Sequence, residues 1–399
     1  MASKRAREEK LDDEEERGVT PSVVVVTHMD CLLHRGNEGS RDSSGETPAR
    51  ITTLLSKIAT THPPPILPPR KRHLQIFSTP THANLTDLLR VHSGAYITRL
   101  LDEIPHPSQR RLRHFSPGHS GVKTSFVSGG SLDAILAAAG AVVCAVDAVV
   151  GEKRGAETAF CVVRPPGHHC GWEGVESLGS PLDLAQGFCF VNNVMVGRWF
   201  LLFDAVGAAY ASAAHGMRSV IFDYDVHHGN GTEGIVRHLL AVHDPTDGPF
   251  PFLFVSAHQY EIGDDDGTFY PGTGDIIPPS DPAYAHVINI PLPPGSGSNA
   301  FRTETERLAM ARIASFRPDV IFISAGFDSH DEDEVGDLHL VDEDYDWIAR
   351  RLRRVQRRVV SVLEGGYLGG KGEEPGLVTG AMAHLRGLME PVEVGDGST

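Results

Sequence analysis

Ser219-Val220-Ile221-Phe222-Asp223-Tyr224-Asp225-Val226-His227-His228-Gly229-Asn230-Gly231 carries a β-branched and aromatic run directly into Asp-x-Asp-x-His. Side chains along an extended segment alternate faces, so Asp223, Asp225 and His227 point the same way and form a row that can ligate a metal. Four more apolar runs end in residues of the same kind. They are Ala159 to Val163 before Arg164-Pro165-Pro166-Gly167-His168-His169, Phe252 to Val255 before Ser256-Ala257-His258, Val320 to Ile323 before Ser324-Ala325-Gly326-Phe327-Asp328, and Val359 to Leu363 before Glu364-Gly365-Gly366-Tyr367. Ligands of open parallel α/β sheets sit outside the carboxyl ends of the strands, so these strand ends predict one site at one sheet edge.

Between the runs the periodicity turns helical. Phe301 to Phe316 and Glu343 to Arg358 are amphipathic and each precedes a late strand, while Ser131 to Val150 is Ala-rich and apolar on most sides. Asp147 within that last segment argues for a helix buried on the sheet rather than one facing lipid. Val23-Val24-Val25-Val26 reads as a first buried strand. The expected fold is a single α/β domain over 19–390, with a mostly parallel central sheet covered by helices on both faces and the active site at the C-terminal ends of the strands. Residues 1–18 are expected to be a disordered charged tail and 391–399 a short C-terminal tail. His62 to Arg70 is Pro-rich and expected to be an extended surface loop.

A chain of 399 residues, 40% hydrophobic and 22% charged, can bury a large core. Its net charge of -16 argues against nonspecific binding to nucleic acid or anionic membrane and favours basic partners. Cys31, Cys144, Cys161, Cys170 and Cys189 show no C-x-x-C spacing and read as reduced packing residues. The charged start has no apolar core for a signal peptide, so an intracellular location, nucleus or cytoplasm, is expected. Lys4-Arg5-Ala6-Arg7 is a short match to a nuclear signal and reads better as a solvated charge run.

A catalytic zinc keeps about three protein ligands and one open position. Asp225 and His227 on one strand end and Asp328 on another meet that count. Two carboxylates and an imidazole nearly cancel the charge of the ion, so the water it activates would be less acidic than in an all-histidine site and would need a base. His168-His169 can supply it, with Asp223 and Asn230 placed to fix the imidazole tautomers. Tyr367, after Gly365-Gly366, suits a donor to a developing oxyanion. Phe188 and Tyr270 could wall an apolar stem. Each assignment alone has a blander reading as a cap, turn or core residue. Their joint occurrence carries the argument.

These segments closely resemble the zinc-dependent histone deacetylases of the arginase/deacetylase fold superfamily, from about Val23 to about Leu388. The resemblance rests on Arg164 to His169, Gly187 to Asn193, Asp223 to Gly231, Tyr270 to Asp275, Ser324 to Asp328 and Glu364 to Tyr367. It implies zinc at Asp225, His227 and Asp328, His169 as the main base, His168 as its electrostatic or acid partner, and Tyr367 polarising the acetyl carbonyl. It further implies that Asp223 pairs with His168 and, with Ser256, helps hold a potassium ion. Asn230 looks like the class II form of the residue that orients the second histidine, and Arg50 resembles an arginine lining an internal cavity. Against the family pattern, Cys170 to Gln186 is about ten residues longer and carries Trp172, and no acidic substrate-gripping residue is found near Thr124 to Ser128.

The expected function is hydrolysis of acetyl groups from lysine side chains of proteins or peptides, histone tails among them. Rival readings are an acetylpolyamine deacetylase on the same scaffold and a catalytically silent acetyl-lysine binding protein. An arginase-type site would need more Asp and His ligands than the sequence offers. Nothing in the sequence fixes the oligomeric state.

Overall fold

The protein was analysed as a computed structural model that describes residues 23–36, 45–61, 74–109, 111–115, 125–151, 155–176, 178–180, 186–197, 217–263, 267–370 and 372–390. The tails expected at 1–18 and 391–399 and the Pro-rich loop at 62–70 lie outside these residues.

Val23–Val26 forms β1, with all four side chains buried. Such a run needs cover on both faces, and it has it: Val23 and Val25 pack into one apolar cluster, Val24 and Val26 into another. The same alternation runs through β6 (Ser219–Asp223), β9 (Val320–Ala325) and β10 (Val359–Leu363). With β2 (Leu74–Phe77), β5 (Thr158–Cys161), β7 (Phe252–Gln259) and β8 (Val287–Leu292) they form an eight-stranded sheet in the order β2-β1-β5-β10-β9-β6-β7-β8. Every described pairing in it is parallel. The expected mostly parallel sheet is borne out, and among the described residues its strand pairings are all parallel; the antiparallel pair of β3 (Arg113–His114) with β4 (Phe126–Val127) stands apart.

Helices cover both faces. On one side α1 (Pro48–Thr61), α4 (Asp342–Arg353) and α5 (Gly376–Met389) supply Ile51, Leu54, Ile348 and Leu385 to the cluster that contains Val23 and Phe222. On the other, α2 (Ser131–Val150) and α3 (Asn230–Val242) pack Ile135, Val142 and Ile235 beside Val24 and Phe322. Among the described residues α2 is the helix long and apolar enough to cross a membrane, and most of it is buried against the sheet. The amphipathic stretch expected at Phe301 to Phe316 is helical from Ser298, with a π-turn at Glu306–Met310, and α4 ends before the expected Arg358.

The five apolar runs that end in chemically active residues are β5, β10, β9, β6 and β7. They are five consecutive neighbours in the sheet. Parallel strands all exit on one edge, so residues far apart in sequence meet there for a topological reason.

Candidate active site

Asp223 closes β6 and shapes the turn after it. Its Oδ1 accepts the Asp225 N–H at 3.0 Å, and Asp225 Oδ1 accepts the His227 N–H at 3.0 Å. This brings Asp225 Oδ1 to 3.1 Å from His227 Nδ1, while Asp328 Oδ2, from the exit of neighbouring β9, stands 3.6 Å from the same nitrogen. Ligand atoms of Asp225, His227 and Asp328 all lie within 4.8 Å of one another.

Two observations test whether this set suits zinc. Asp328 Oδ2 is buried without a hydrogen-bond partner among the described residues. Leaving a buried acceptor unanswered costs about 1–3 kcal/mol, and more when it is charged, so the arrangement calls for a cation. The backbone also makes room: a Cβ on Gly365 would stand 2.0 Å from Asp328 Oδ2 and 2.5 Å from Asp225 Oδ2. Gly365 instead donates its N–H to Asp225 Oδ2 at 2.8 Å. A three-ligand set of two carboxylates and one imidazole fits the ion.

His168 and His169 leave β5 through Arg164-Pro165-Pro166-Gly167. Glu364, at the exit of β10, holds that loop: its Oε2 accepts from the N–H groups of Gly167 at 2.7 Å and His168 at 3.2 Å. Burial pushes the Glu364 carboxyl up to about 7. His168 Nδ1 lies 2.9 Å from Asp223 Oδ2, and His169 Nδ1 lies 2.7 Å from Asn230 Oδ1. Burial alone would lower the His168 pKa, but the carboxylates of Asp225 and Asp223 outweigh it and hold it well above the usual value. For His169 burial is reinforced by His168 and His227, and the pKa is held well below. The paired rings are thus given different protonation preferences by their surroundings.

A cavity of about 190 Å³ opens over this group, lined by both histidines, Asp225, His227, Asp328, Gly365 and Tyr367 and walled by Phe188, Tyr270 and Val335. Phe188 holds a φ of 65° and donates its N–H to Ser125 Oγ at 3.1 Å. Such a conformation costs a non-glycine residue roughly 1–3 kcal/mol and persists where neighbours enforce it. Tyr270 meets His169 edge to face at 5.0 Å, and Phe269, a contact the sequence did not suggest, stacks on His227 at 5.2 Å. The Tyr367 N–H donates to Asp333 Oδ2 at 2.8 Å.

Arg50 is wholly buried and braces that turn: Nε donates to Gly366 O at 2.6 Å and Nη2 to Glu364 O at 2.5 Å, with the guanidinium 5.1 Å from the Tyr367 ring. Its donors are thus engaged by protein, and it is not among the residues lining the site cavity. Ser256 stands in register beside Asp223 on β7. Its Oγ lies 2.9 Å from His258 Nδ1, while Asp223 Oδ1 meets the Asp225 N–H and Asp223 Oδ2 meets His168 Nδ1.

Trp172 is not among the residues lining the cavity; its ring stacks on His238 of α3 at 4.3 Å. The inserted segment touches the site elsewhere, where the Glu176 carbonyl accepts from Asn230 Nδ2 at 2.5 Å. Of the segment searched for an acidic gripping residue, Thr124 lies outside the described residues, and Ser125 is taken up by Phe188. All five cysteines are free, as expected.

Sheet, cavity and paired histidines together define the class of deacetylases and related amidohydrolases. The chain belongs to the histone deacetylase family, whose domain matches residues 44–373. It is 32% identical to the type-2 histone deacetylase 2 of Dictyostelium discoideum over 93% of this chain but 21% of that protein. Chloroplastic histone deacetylase 14 of Arabidopsis thaliana is 31% identical, with 82% of this chain and 70% of the relative covered. A histone deacetylase-like amidohydrolase of Pseudomonas aeruginosa is 31% identical, with 81% and 72% covered. The fold is that of the HDA15 HD domain, at a TM-score of 0.71 and 23% identity over 93% of this chain and 89% of that one. This chain therefore spans about a fifth of the Dictyostelium relative and about 70% of the Arabidopsis one.

Proposed function

We propose that this protein is a zinc-dependent amidohydrolase that removes acetyl groups from lysine side chains of proteins or peptides. The observation that carries the reading is the buried, partnerless Asp328 Oδ2 facing His227 at the floor of a cavity that also holds His169 and Tyr367. Asp225, His227 and Asp328 would hold the ion, which when bound supplies a Lewis acid that acidifies water and polarises the acyl oxygen.

The chain's own residues do the rest. Asn230 accepts from His169 Nδ1–H, which leaves Nε2 as the free acceptor for the proton that water gives up in attack. His168, paired with Asp223, keeps a positive charge beside the site. The proton taken up by His169 then passes to the leaving amine. Tyr367 donates from its hydroxyl to the oxyanion that forms on the acyl carbon. Phe188 and Tyr270 exclude water around the aliphatic stem.

The test is a panel of acetyl-lysine peptides and N-acetylated polyamines with zinc content measured on the same sample. Turnover of the peptides in proportion to zinc is the expected result. Preference for the polyamines would move the substrate class, and zinc uptake with no turnover of either would leave a binding protein.

A further inference from the structure

We propose a second metal site, separate from the catalytic cluster, formed by His28, Asp30 and His82 at the outer part of the same sheet edge. Among the described residues two groups of His, Cys, Asp or Glu bring ligand atoms within 4.8 Å of one another, and this is the group that the deacetylase reading leaves unused. His28 lies just beyond β1, and His82 lies in the loop that follows β2, which ends at Phe77. The two strands are parallel neighbours, so both exits open on one side. His82 Nε2 stands 2.9 Å from Asp30 Oδ2, and His28 Nδ1 stands 3.7 Å from the same oxygen. The two rings meet edge to face at 4.7 Å.

Both arms of the cluster are fixed by backbone contacts that owe nothing to an ion. Asp30 sits in the 3₁₀ turn Met29–Leu32, which the Cys31 N–H closes onto His28 O at 3.1 Å. On the other arm the Ala83 N–H donates to Leu136 O at 2.9 Å. Gly140 allows α2 to come this close, since a Cβ there would stand 2.2 Å from Thr81 O. Ligands already held in place lose little freedom on binding.

Two imidazoles and one carboxylate select Zn²⁺ or a neighbouring first-row ion such as Co²⁺ or Ni²⁺, because Mg²⁺, Ca²⁺ and K⁺ favour oxygen-only sets. All three residues are half-buried, which leaves water access for the remaining coordination position. His28 Nδ1 accepts the Asp30 N–H at 3.0 Å, and ligation through that nitrogen exchanges this hydrogen bond for the ion. The bound ion would cross-link the exits of β1 and β2. The carbonyls of Cys31 and His34 in the same loop accept from Arg164 Nη1 at 3.0 and 2.6 Å, so the cross-link braces the residue from which the His168-His169 loop departs.

The full chain is saturated with Zn²⁺, freed of excess by gel filtration and assayed for zinc by mass spectrometry. Two equivalents are expected in the wild type, one in His82→Ala or His28→Ala with deacetylase turnover retained, and one in Asp225→Ala. Where His82→Ala does not fold, His82→Asn keeps the bulk and is expected to hold one equivalent as well. One equivalent in the wild type with none in Asp225→Ala would overturn the proposal, since the cluster would then be an ordinary His82–Asp30 pair. Two equivalents surviving in the folded His82 variants would overturn it equally.

Discussion

Glu46 Oε2 lies 2.6 Å from Arg164 Nη2, and Glu46 Oε1 accepts from Arg164 Nε at 2.8 Å, a two-pronged ion pair with both side chains buried. The same Oε1 reaches Arg50 Nη1 at 3.2 Å. Arg164 stands at the root of the loop carrying His168 and His169, and Arg50 braces the turn carrying Tyr367. One carboxylate therefore ties the proposed base to the proposed oxyanion donor.

Removing that carboxylate charge leaves two buried guanidinium groups without the counter-charge they share, so Glu46→Gln is expected to lower stability by about 3–5 kcal/mol in chemical denaturation. The pH dependence has a definite sign. Burial by itself raises the Glu46 carboxyl, but Arg164 and then Arg50 hold it down to about 2. A folded-state value below the unfolded one adds stability that is complete above about pH 4.5 and drains away as pH falls toward 2. The variant should lack this part of the acid limb. A wild-type acid limb in Glu46→Gln would show that the pair contributes nothing.

Asp225→Ala, His227→Ala and Asp328→Ala each remove one of three ligands and should lose both catalytic zinc and turnover. In the case of Asp225→Ala the zinc that remains should belong to the His28 cluster. Zinc-dependent turnover in any of the three would break the ligand assignment.

His169→Ala is expected to keep its zinc and lose about 10²- to 10⁴-fold in kcat, the usual contribution of a positioned base. Turnover near the wild-type rate would move the base to His168.

Tyr367→Phe should lower kcat by about 10²- to 10³-fold with little change in KM, the loss expected for one donor aimed at a developing oxyanion. A change confined to KM would make Tyr367 a binding residue instead.

The inserted segment leads to a prediction that its sequence position alone would not give. Because the Glu176 carbonyl fixes the amide of Asn230, deletions beyond Glu176 should spare turnover of a small acetyl-lysine substrate. Gly234→Ala should reduce it about tenfold or more, since its Cβ would stand 2.3 Å from Glu176 Cγ and dislodge the segment. Equal rates in the two variants would make the segment a neutral surface addition.

The sheet and its active edge were readable because buried parallel strands are near-continuous apolar runs and the five chemically marked ones happen to be neighbours. Asp223, Asp225, His227 and Asp328 sit at or just past strand ends, where local pattern dictates direction. Glu46 could not be found that way, since it lies just before α1, and of its two partners Arg50 is in that helix while Arg164 is in a loop far away in sequence. Glu364 was in view as part of a motif, but its task is to hold the backbone of Gly167 and His168, which no side-chain pattern reports. Glu176 acts through its carbonyl, so its residue type carries no signal.

Among the described strands β10 comes last in the chain, yet it lies between β5 and β9 at the middle of the sheet. Until it arrives, the chain can form only two separate half-sheets, one ending in the paired histidines and the other in the metal row. A nascent or truncated chain that stops short of Val359 therefore holds every proposed zinc ligand and both histidines with nothing to join them. Synthesis delivers the joining strand and Tyr367 together, so activity arrives with the closing of the sheet rather than by increments.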